Sequence, residues 1–382
     1  MEPLTWIEIS RGALWHNITA FRQRLSPGAS LLAVVKANAY GHGLRVVARS
    51  IAAHVDWLGV NTLDEALALH NDGITTRHGA GPLRVLIMGF TPHSRAAEVV
   101  RLGFRQVVFD QAAAACLAQA AVAQNVTAAV HVKIETGTYR LGVGFQEALP
   151  FLRQLQSLPH LTVEGIYTHF ATAEDTADDS YLQLQISRFA EAQAALARAG
   201  MGVTYQHMAA TAATVVAPAA HGRLARIGIG LYGLWPSLDT KIAMTERSAQ
   251  PLTLRPVMQW KTRIVHIQNV ARGETVGYGR TYRTRRDSNI AVIPVGYSDG
   301  YDRKLSNVGK VAVRRRLAAV VGRVMMNMTL IDVTDIPGVQ VGDEVTLLGT
   351  EIPAEHIATH VGTINYEIVS RINPALPRIA VP

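Results

Sequence analysis

Short apolar runs alternate with longer, helix-length segments between residues 31 and 229. Runs rich in Val, Ile and Leu that end in turn residues are typical of strands buried on both faces. The predicted strands are residues 31–35, 57–61, 84–88, 106–109, 128–134, 162–168, 204–208 and 224–229. The predicted helices are residues 44–53, 63–70, 94–102, 112–123, 146–156 and 180–199, with a short one near residue 212. This alternation predicts an α/β fold, a (β/α)8 barrel of the TIM type, with an open doubly wound sheet as the alternative.

The pattern changes after Pro236, where the apolar segments become short and β-rich and glycines separate them. The predicted strands there are residues 257–267, 289–294, 318–324, 329–333 and 344–348. Short strands between turn residues indicate a C-terminal all-β domain. We therefore predict a barrel over residues 11–236 and an all-β domain over residues 237–382, joined by a strand from residues 1–10.

Composition and charge narrow the class of protein. The 382 residues are 48% hydrophobic, which suits a full globular core, and the formal charge is +8. The arginines are scattered, so we predict no nucleic-acid partner. The single cysteine, Cys116, allows no disulfide within the chain, and no apolar run approaches the roughly 20 residues of a membrane helix. We therefore expect a soluble cytoplasmic protein with no membrane partner and no metal site.

Lys36 is the first candidate for chemistry because it follows directly on the apolar run of residues 32–35. The carboxyl ends of barrel strands are where active sites form. A lysine amine that loses its proton readily can form a Schiff base with a carbonyl compound. Only six of the 37 Lys and Arg residues are lysines, so Lys36 is less readily explained as generic surface charge. A solvated loop lysine is the alternative for this residue taken alone.

The segment of residues 33–43, which contains Lys36, Tyr40 and His42, resembles the pyridoxal-phosphate attachment segment of bacterial alanine racemases. Later motifs follow in the order of that family, so the resemblance extends from residue 7 to the region of Tyr366. It implies a fold-type III enzyme that is a homodimer with shared active sites. It also implies that pyridoxal 5′-phosphate is attached to Lys36 and that Tyr40 binds its phosphate.

The resemblance assigns further cofactor-binding residues near the end of the barrel. Thr211, Gly228 and Ile229 correspond to phosphate-binding residues, and glycines let backbone N–H groups approach an anion closely. Ala210 stands where asparagine is common, which removes one amide near the phosphate. Arg226 corresponds to the partner of the pyridine nitrogen. Because arginine only donates hydrogen bonds, it leaves that nitrogen unprotonated and weakens the cofactor as an electron sink.

A second motif, residues 132–142, contains Lys133 and Arg140. The resemblance implies that Arg140 binds the phenolic oxygen of the cofactor and the substrate. It also implies that a carbamylated Lys133 orients Arg140, with an unmodified lysine as the alternative. Glu135 stands where aspartate is common. His169 corresponds to a histidine that packs near the pyridine ring.

The predicted β domain contributes the second catalytic residue in this family. Tyr278 corresponds to a base that reaches into the active site of the other subunit. Tyr297 and Tyr366 resemble tyrosines that narrow the entrance, and Tyr366 also resembles a phosphate ligand. Met326 corresponds to a residue whose backbone binds the substrate carboxylate. Asn327 replaces a common aspartate and removes a charge there.

The resemblance implies that L- and D-alanine are interconverted by two bases, Lys36 and Tyr278, and that D-alanine is supplied for peptidoglycan. The alternatives are a racemase of serine or another small amino acid, an amino-acid decarboxylase of similar architecture, and a non-catalytic pyridoxal-phosphate carrier. Decarboxylases of that architecture place an acidic residue where this chain has Arg226. The carriers lack a β domain.

Overall fold

The computed structural model describes residues 3–74, 83–245 and 251–382. The chain divides into two compact units. The β unit contains Met1–Ala13, Asn38–Val47 and Pro256–Pro382, and the barrel unit contains Leu14–Ala37 and Ala48–Arg255. In chain order the first elements are strand β1 (Thr5–Ser10) and helix α1 (Arg11–Arg22).

Eight parallel strands form the sheet of the barrel unit. The next strands along the chain are β2 (Ser30–Val34), β3 (Trp57–Val60), β4 (Arg84–Ile87), β5 (Arg105–Val108), β6 (Ala128–Glu135), β7 (Val143–Gly144), β8 (Leu161–Tyr167), β9 (Tyr205–His207) and β10 (Leu224–Ile227). The sheet order is β10-β2-β3-β4-β5-β6-β8-β9, and the short β7 pairs only with the end of β6. Most side chains of these strands are buried, as expected for strands covered on both faces.

Backbone hydrogen bonds next to β9 and β10 nearly close this sheet. The N–H of Arg223 donates to the carbonyl of Gln206 (3.0 Å), and the N–H of Arg226 donates to the carbonyl of Ala209 (3.1 Å). Such pairing removes the exposed strand edges that an open sheet would have. The predicted (β/α)8 barrel is confirmed.

Helices follow the barrel strands, and two of them, α4 and α6, start at side-chain caps. The helices are α2 (Lys36–Tyr40), α3 (Leu44–Ile51), α4 (Leu63–Asn71), α5 (Ala96–Arg101), α6 (Gln111–Gln124), α7 (Ala148–Gln156), α8 (Ser180–Arg198), α9 (Thr211–Val216) and α10 (Leu238–Thr245). Thr62 and Glu65 form a capping box at the start of α4, and Asp110 caps α6 by accepting from Ala113 N at 2.7 Å.

The β unit is built on a nine-stranded sheet. The further strands of this unit are β11 (Met258–Arg263), β12 (His266–Val270), β13 (Thr275–Val276), β14 (Tyr282–Arg283), β15 (Ser288–Ile293), β16 (Lys310–Val313), β17 (Arg316–Val320), β18 (Thr329–Asp332), β19 (Glu344–Leu348) and β20 (Arg378–Val381). The sheet order is β12-β15-β18-β17-β16-β19-β11-β1-β20. Strands β13 and β14 pair with each other as a separate two-stranded sheet. Strand β1 runs antiparallel to β11 and parallel to β20. The predicted β-rich C-terminal fold is confirmed.

Some elements of the β unit differ from the predicted ones. The predicted strand over residues 257–267 is two strands, β11 and β12, and the helices α11 (Ala354–Val361) and α12 (Asn365–Ser370) were not predicted. Pro353 precedes α11, and Gly362 follows it in a left-handed conformation. A proline near the start and a left-handed glycine after the end are usual boundary signals of a helix. Across the described ranges, the helices lack the length and apolar character needed to cross a membrane.

Candidate active site

Lys36 lies at the carboxyl end of the barrel strand β2, with Val35 between it and the last strand residue, Val34. The four residues that follow it, Ala37 to Tyr40, all have φ of 52° or 53°. Residues other than glycine rarely adopt this left-handed conformation, and each one costs about 1–2 kcal/mol. Glu65 anchors the beginning of the segment, since its carboxylate accepts from Ala37 N at 2.6 Å and from Asn61 N at 2.7 Å. The left-handed backbone therefore costs conformational free energy, and the contact with Glu65 helps to hold the residue after Lys36 in one place.

The environment of Lys36 shifts its amine toward the neutral form. Burial lowers the pKa of Lys36, the charge of Arg140 lowers it further, and Glu65 acts in the opposite direction. A lysine amine must be neutral to attack a carbonyl or accept a proton. Lys36 is therefore suited to the chemistry predicted for it.

Arg226 is buried at the end of β10 and is held firmly by acceptors. Its terminal nitrogens donate to His207 Nδ1 (2.8 Å) and to the carbonyls of Thr168 (2.8 Å) and Met208 (2.9 Å). Its carbon Cζ lies 5.0 Å from the ring centre of Tyr167. Burial lowers the pKa of Arg226 to about 10, so it stays a cation at neutral pH.

The Nε–H of Arg226 is the donor that these contacts leave available. Hydrogen bonds from Arg226 to the residues that the structure describes all start from the two terminal nitrogens. An anchored guanidinium with one remaining donor fits an aromatic nitrogen with a lone pair. His169, whose Nδ1 lies 3.4 Å from Arg226, is neutral because burial and then Arg226 lower its pKa to about 3.

Lys133 is a second lysine with an altered proton affinity. It lies on β6, is only 4% exposed, and its Nζ is 5.9 Å from the ring centre of Tyr167. Burial, followed by the charges of Arg140 and Arg226, lowers the pKa of Lys133 to about 8. A substantial fraction of this amine is therefore neutral near physiological pH.

Glu135 organises the loop that carries Arg140. Its carboxylate accepts from the backbone of Gly137 and Thr138, both at 2.6 Å, and from Arg140 N at 3.3 Å. The side chain of Arg140 is exposed. The longer glutamate, which stands where aspartate is common, is thus accommodated because its carboxylate accepts hydrogen bonds within its own loop.

The turn that follows β10 is hydrogen-bonded to Thr211, the first residue of α9. The hydroxyl oxygen of Thr211 accepts from Gly228 N at 3.0 Å and from Gly230 N at 3.4 Å. A Cβ atom on Gly230 would lie 2.5 Å from Phe21 and 2.6 Å from Thr211, so no larger residue fits there. This turn brings together the predicted phosphate-binding residues Thr211, Gly228 and Ile229.

The β unit holds the predicted phosphate ligands Tyr40 and Tyr366 near each other, with ring centres 6.2 Å apart. Burial raises the pKa of Tyr40 to about 12, so its hydroxyl is a neutral donor. Arg378 donates to the carbonyl of Gly41 at 3.0 Å and so fixes the turn after Tyr40. A Cβ atom on Gly41 would lie 2.0 Å from the carbonyl oxygen of Val369, which explains the glycine.

Tyr278, Tyr297 and Met326 line one groove of the β unit, with a cavity volume of about 460 Å³. They are 71%, 44% and 56% exposed. Asn327, in the same groove, donates to the hydroxyl of Ser298 at 2.8 Å. Clustered exposed apolar side chains are typical of an interaction surface.

Cations dominate the barrel cluster. Lys36, Lys133, Arg140 and Arg226 act on one another through their charges. Like charges repel one another, and a bound anion would offset this repulsion, so the cluster fits a negatively charged ligand such as a phosphate ester. Fold and site together define the class of protein. It is an enzyme with a (β/α)8 barrel and a β-rich unit, and its barrel carries a reactive lysine at a strand end among cations.

Comparison with known proteins identifies the family. The family model for the alanine racemase N-terminal domain matches residues 9–236, and that for the C-terminal domain matches residues 257–380. The alanine racemase of Desulfovibrio desulfuricans is 40% identical over 378 residues, with 98% of each chain covered. That of Syntrophobacter fumaroxidans is 43% identical over 373 residues, with 96% of this chain and 95% of the relative covered.

Solved structures agree with this assignment. The alanine racemase of Clostridium difficile 630 has a TM-score of 0.91 and 32% identity, with 100% of this chain and 96% of that chain covered. The chain belongs to the alanine racemase family, and it is accordingly an isomerase.

Several residues of the site were not singled out from the sequence. These are Glu65, His131, Glu164, Tyr167, His207 and Arg378. His207 lies within the motif that contains Thr211, and Glu65 completes a Thr-x-x-Glu capping box, so these two had local signals. Tyr167 likewise lies two residues before His169. His131, Glu164 and Arg378 act through contacts with residues distant in the sequence, which a single sequence does not show.

Proposed function

We propose that this chain interconverts L-alanine and D-alanine with pyridoxal 5′-phosphate, and that the product D-alanine is used for peptidoglycan. The single observation that carries the proposal is the place of Lys36 at the carboxyl end of β2, within a cation cluster that suits a phosphorylated cofactor; burial there lowers the pKa of its amine. The similarity to alanine racemases over nearly the whole chain supports the choice of substrate. The bound cofactor would supply an electron-withdrawing ring that stabilises negative charge at the substrate α-carbon.

The predicted cofactor-binding residues keep their roles in this proposal. They are Lys36, Tyr40, Arg140, His169, Thr211, Arg226, Gly228, Ile229 and Tyr366. Arg226 would donate Nε–H to the pyridine nitrogen, because its terminal nitrogens already have partners. Since this donor cannot give up a proton at neutral pH, it would keep electron withdrawal moderate and limit side reactions such as transamination. This residue also disfavours the decarboxylase alternative.

Racemisation needs two groups that move protons on opposite faces of the α-carbon, and we assign them to Lys36 and Tyr278. Tyr278 would take the proton from L-alanine, and Lys36 would take it from D-alanine. Arg140, Tyr297 and Met326 would bind the substrate. Because Tyr278 is 71% exposed within its own chain, we propose that it acts in the site of a partner subunit in a homodimer.

Lys133 would be carbamylated and would orient Arg140 through its new negative charge. The pKa of about 8 supports this, since only the neutral amine adds carbon dioxide. Cofactor binding by residues 11–236 and a cytoplasmic location stay predictions.

The proposal is tested by α-proton exchange of L- and D-alanine in D₂O, followed by NMR with the purified protein and added cofactor. Exchange with inversion of configuration is expected. Parallel reactions with serine separate the broader racemase alternative. Cofactor binding without exchange of any small amino acid would contradict racemase activity and favour the carrier alternative.

A further inference from the structure

Two fully buried histidines of the barrel unit, His131 and His207, are not among the proposed catalytic or cofactor-binding residues. His207 Nδ1 lies 2.8 Å from a terminal nitrogen of Arg226, and His207 Nε2 lies 2.9 Å from His131 Nδ1. The other ring nitrogen of His131, Nε2, lies 3.7 Å from the carboxylate of Glu164. A single polar chain therefore runs from Arg226 to Glu164 through the barrel interior.

The groups at its two ends determine the direction in which hydrogen bonds are donated along this series of polar groups. Arginine can only donate, so His207 Nδ1 must accept and His207 must carry its proton on Nε2. That proton is donated to His131 Nδ1, so His131 also carries its proton on Nε2. The N–H of His131 then points at an acceptor, the carboxylate of Glu164. Burial lowers the pKa of both histidines, so both imidazoles are neutral.

Glu164 is a fixed negative charge at the far end. Burial raises its pKa, but His131 and Arg105 outweigh burial and lower the pKa to about 2. Arg105, the first residue of β5, donates to Glu164 at 3.1 Å. Within the described part of the chain, His131 Nε2 makes no hydrogen bond, and the carboxylate of Glu164, 3.7 Å away, is the charged group that faces it.

The rings of His131 and His207 pack closely against other residues of the barrel strands. The ring of His207 stacks on Tyr167 with ring centres 4.7 Å apart and planes 6° apart. A Cβ atom on Gly165 would lie 2.8 Å from two ring atoms of His131, so the glycine leaves space for this imidazole. In the sheet, His131 of β6 stands opposite Gly165 of β8.

We propose that His207, His131 and Glu164 form a relay of positioning residues for Arg226. The carboxylate at one end holds both imidazoles in the Nε2–H form, which keeps His207 Nδ1 an acceptor and holds the guanidinium in place with Nε free. The relay itself rests on the geometry of this chain, and only its effect on catalysis rests on the proposed function.

The direct test measures the ring nitrogens by NMR of protein labelled with ¹⁵N-histidine, with and without cofactor. The expected result is an unprotonated Nδ1 and a protonated Nε2 for both His131 and His207. A proton on Nδ1 of either residue overturns the relay, even if the protein is a fully active racemase. Conversely, the expected tautomers in an inactive protein leave the relay standing and reject the proposed function.

Glu164→Gln removes the charge but keeps the shape and one acceptor. We expect shifted ring-nitrogen resonances for His131 and His207, and a roughly two- to tenfold fall in kcat with KM for alanine unchanged, which corresponds to one hydrogen bond of ordinary strength. Glu98→Gln is the matched control, because Glu98 also pairs with an arginine, Arg95, outside the barrel interior. Unchanged resonances and unchanged kcat in Glu164→Gln overturn the proposal.

Gly165→Ala tests the relay without removing a polar group. The added methyl group should displace the His131 ring and change the same resonances. Gly202→Ala is the control, since a Cβ atom there would meet no atom within 4 Å. If Gly165→Ala leaves both histidine tautomers and kcat as in Gly202→Ala, the relay does not position Arg226. The measurement on the unmodified protein decides the question should either variant fail to fold.

Discussion

The barrel cluster and the groove of the β unit contain the two proposed catalytic residues in contrasting environments. Lys36 has a pKa lowered by burial and by Arg140, and its segment is tied to Glu65. Tyr278 is 71% exposed on a short turn between glycines with positive φ. The residues that lower the pKa of Lys36 thus all belong to its own chain. In the proposed homodimer, the exposed tyrosine would act on a substrate only in the site of the partner subunit.

Substitution of Lys36 should have the largest effect, because this residue would both hold the cofactor and move a proton. Lys36→Ala should reduce racemisation by at least roughly 10⁴-fold. Lys241→Ala, at an exposed lysine of α10, should behave like the unmodified protein. The measurement is the rate of L- to D-alanine conversion, together with the visible absorbance of protein incubated with cofactor. Retained racemisation in Lys36→Ala would exclude the proposed role.

Substitution of Tyr278 should separate the two bases. Tyr278→Phe should slow racemisation by roughly 10²- to 10³-fold, the usual contribution of a general base. Exchange of the α-proton of D-alanine should persist without inversion, since Lys36 remains. Folding should be unaffected, because the lost hydroxyl is on an exposed side chain. Equal losses of exchange for both enantiomers would speak against a separate base on each face.

The state of Lys133 should depend on pH in a defined direction. Burial lowers its pKa to about 8, so roughly ten times more of the amine is neutral at pH 9 than at pH 7. The incorporation of ¹³C-labelled carbon dioxide, seen as a carbamate resonance by NMR, should therefore increase over this range and decline as the amine becomes protonated. Lys133→Arg should abolish the signal. A resonance of equal size in that variant would assign the carbamate elsewhere.

Substitution of Glu65 should have the smallest effect, and comparison with Asp110, an ordinary helix cap, should show whether Glu65 also supports catalysis. Glu65→Ala and Asp110→Ala should each lower the free energy of unfolding by about 1 kcal/mol, measured in urea, because each removes a capping interaction. Only Glu65→Ala should also lower kcat, since Glu65 holds the residue after Lys36. If both variants lose stability and retain kcat alike, the anchoring of Lys36 by Glu65 is not needed for catalysis.

The barrel could be predicted from the sequence because its strands are buried on both faces and are separated by helix-length segments. The predicted strand over residues 128–134 is β6 (Ala128–Glu135), and the predicted helix over residues 180–199 is α8 (Ser180–Arg198). Local hydrophobic pattern determines such elements, whatever their neighbours in space. Motifs close to strand ends also indicated Lys36, Arg140 and Arg226.

The contacts between strands could not be predicted in the same way. The relay from Arg226 to Glu164 requires that His131 stands opposite Gly165, a sheet register that no local pattern specifies. The left-handed segment from Ala37 to Tyr40 contains no glycine, so propensity alone argues against it. Tertiary contacts such as that of Glu65 with Ala37 override this preference.

The central claim is that Lys36 and Tyr278 act on opposite faces of one α-carbon. The most direct measurement is α-proton exchange of L- and D-alanine in D₂O with the cofactor-loaded protein and with Tyr278→Phe, followed by NMR. The account predicts exchange with inversion in the unmodified protein and exchange of D-alanine without inversion in the variant. Inversion at the full rate in Tyr278→Phe would contradict it.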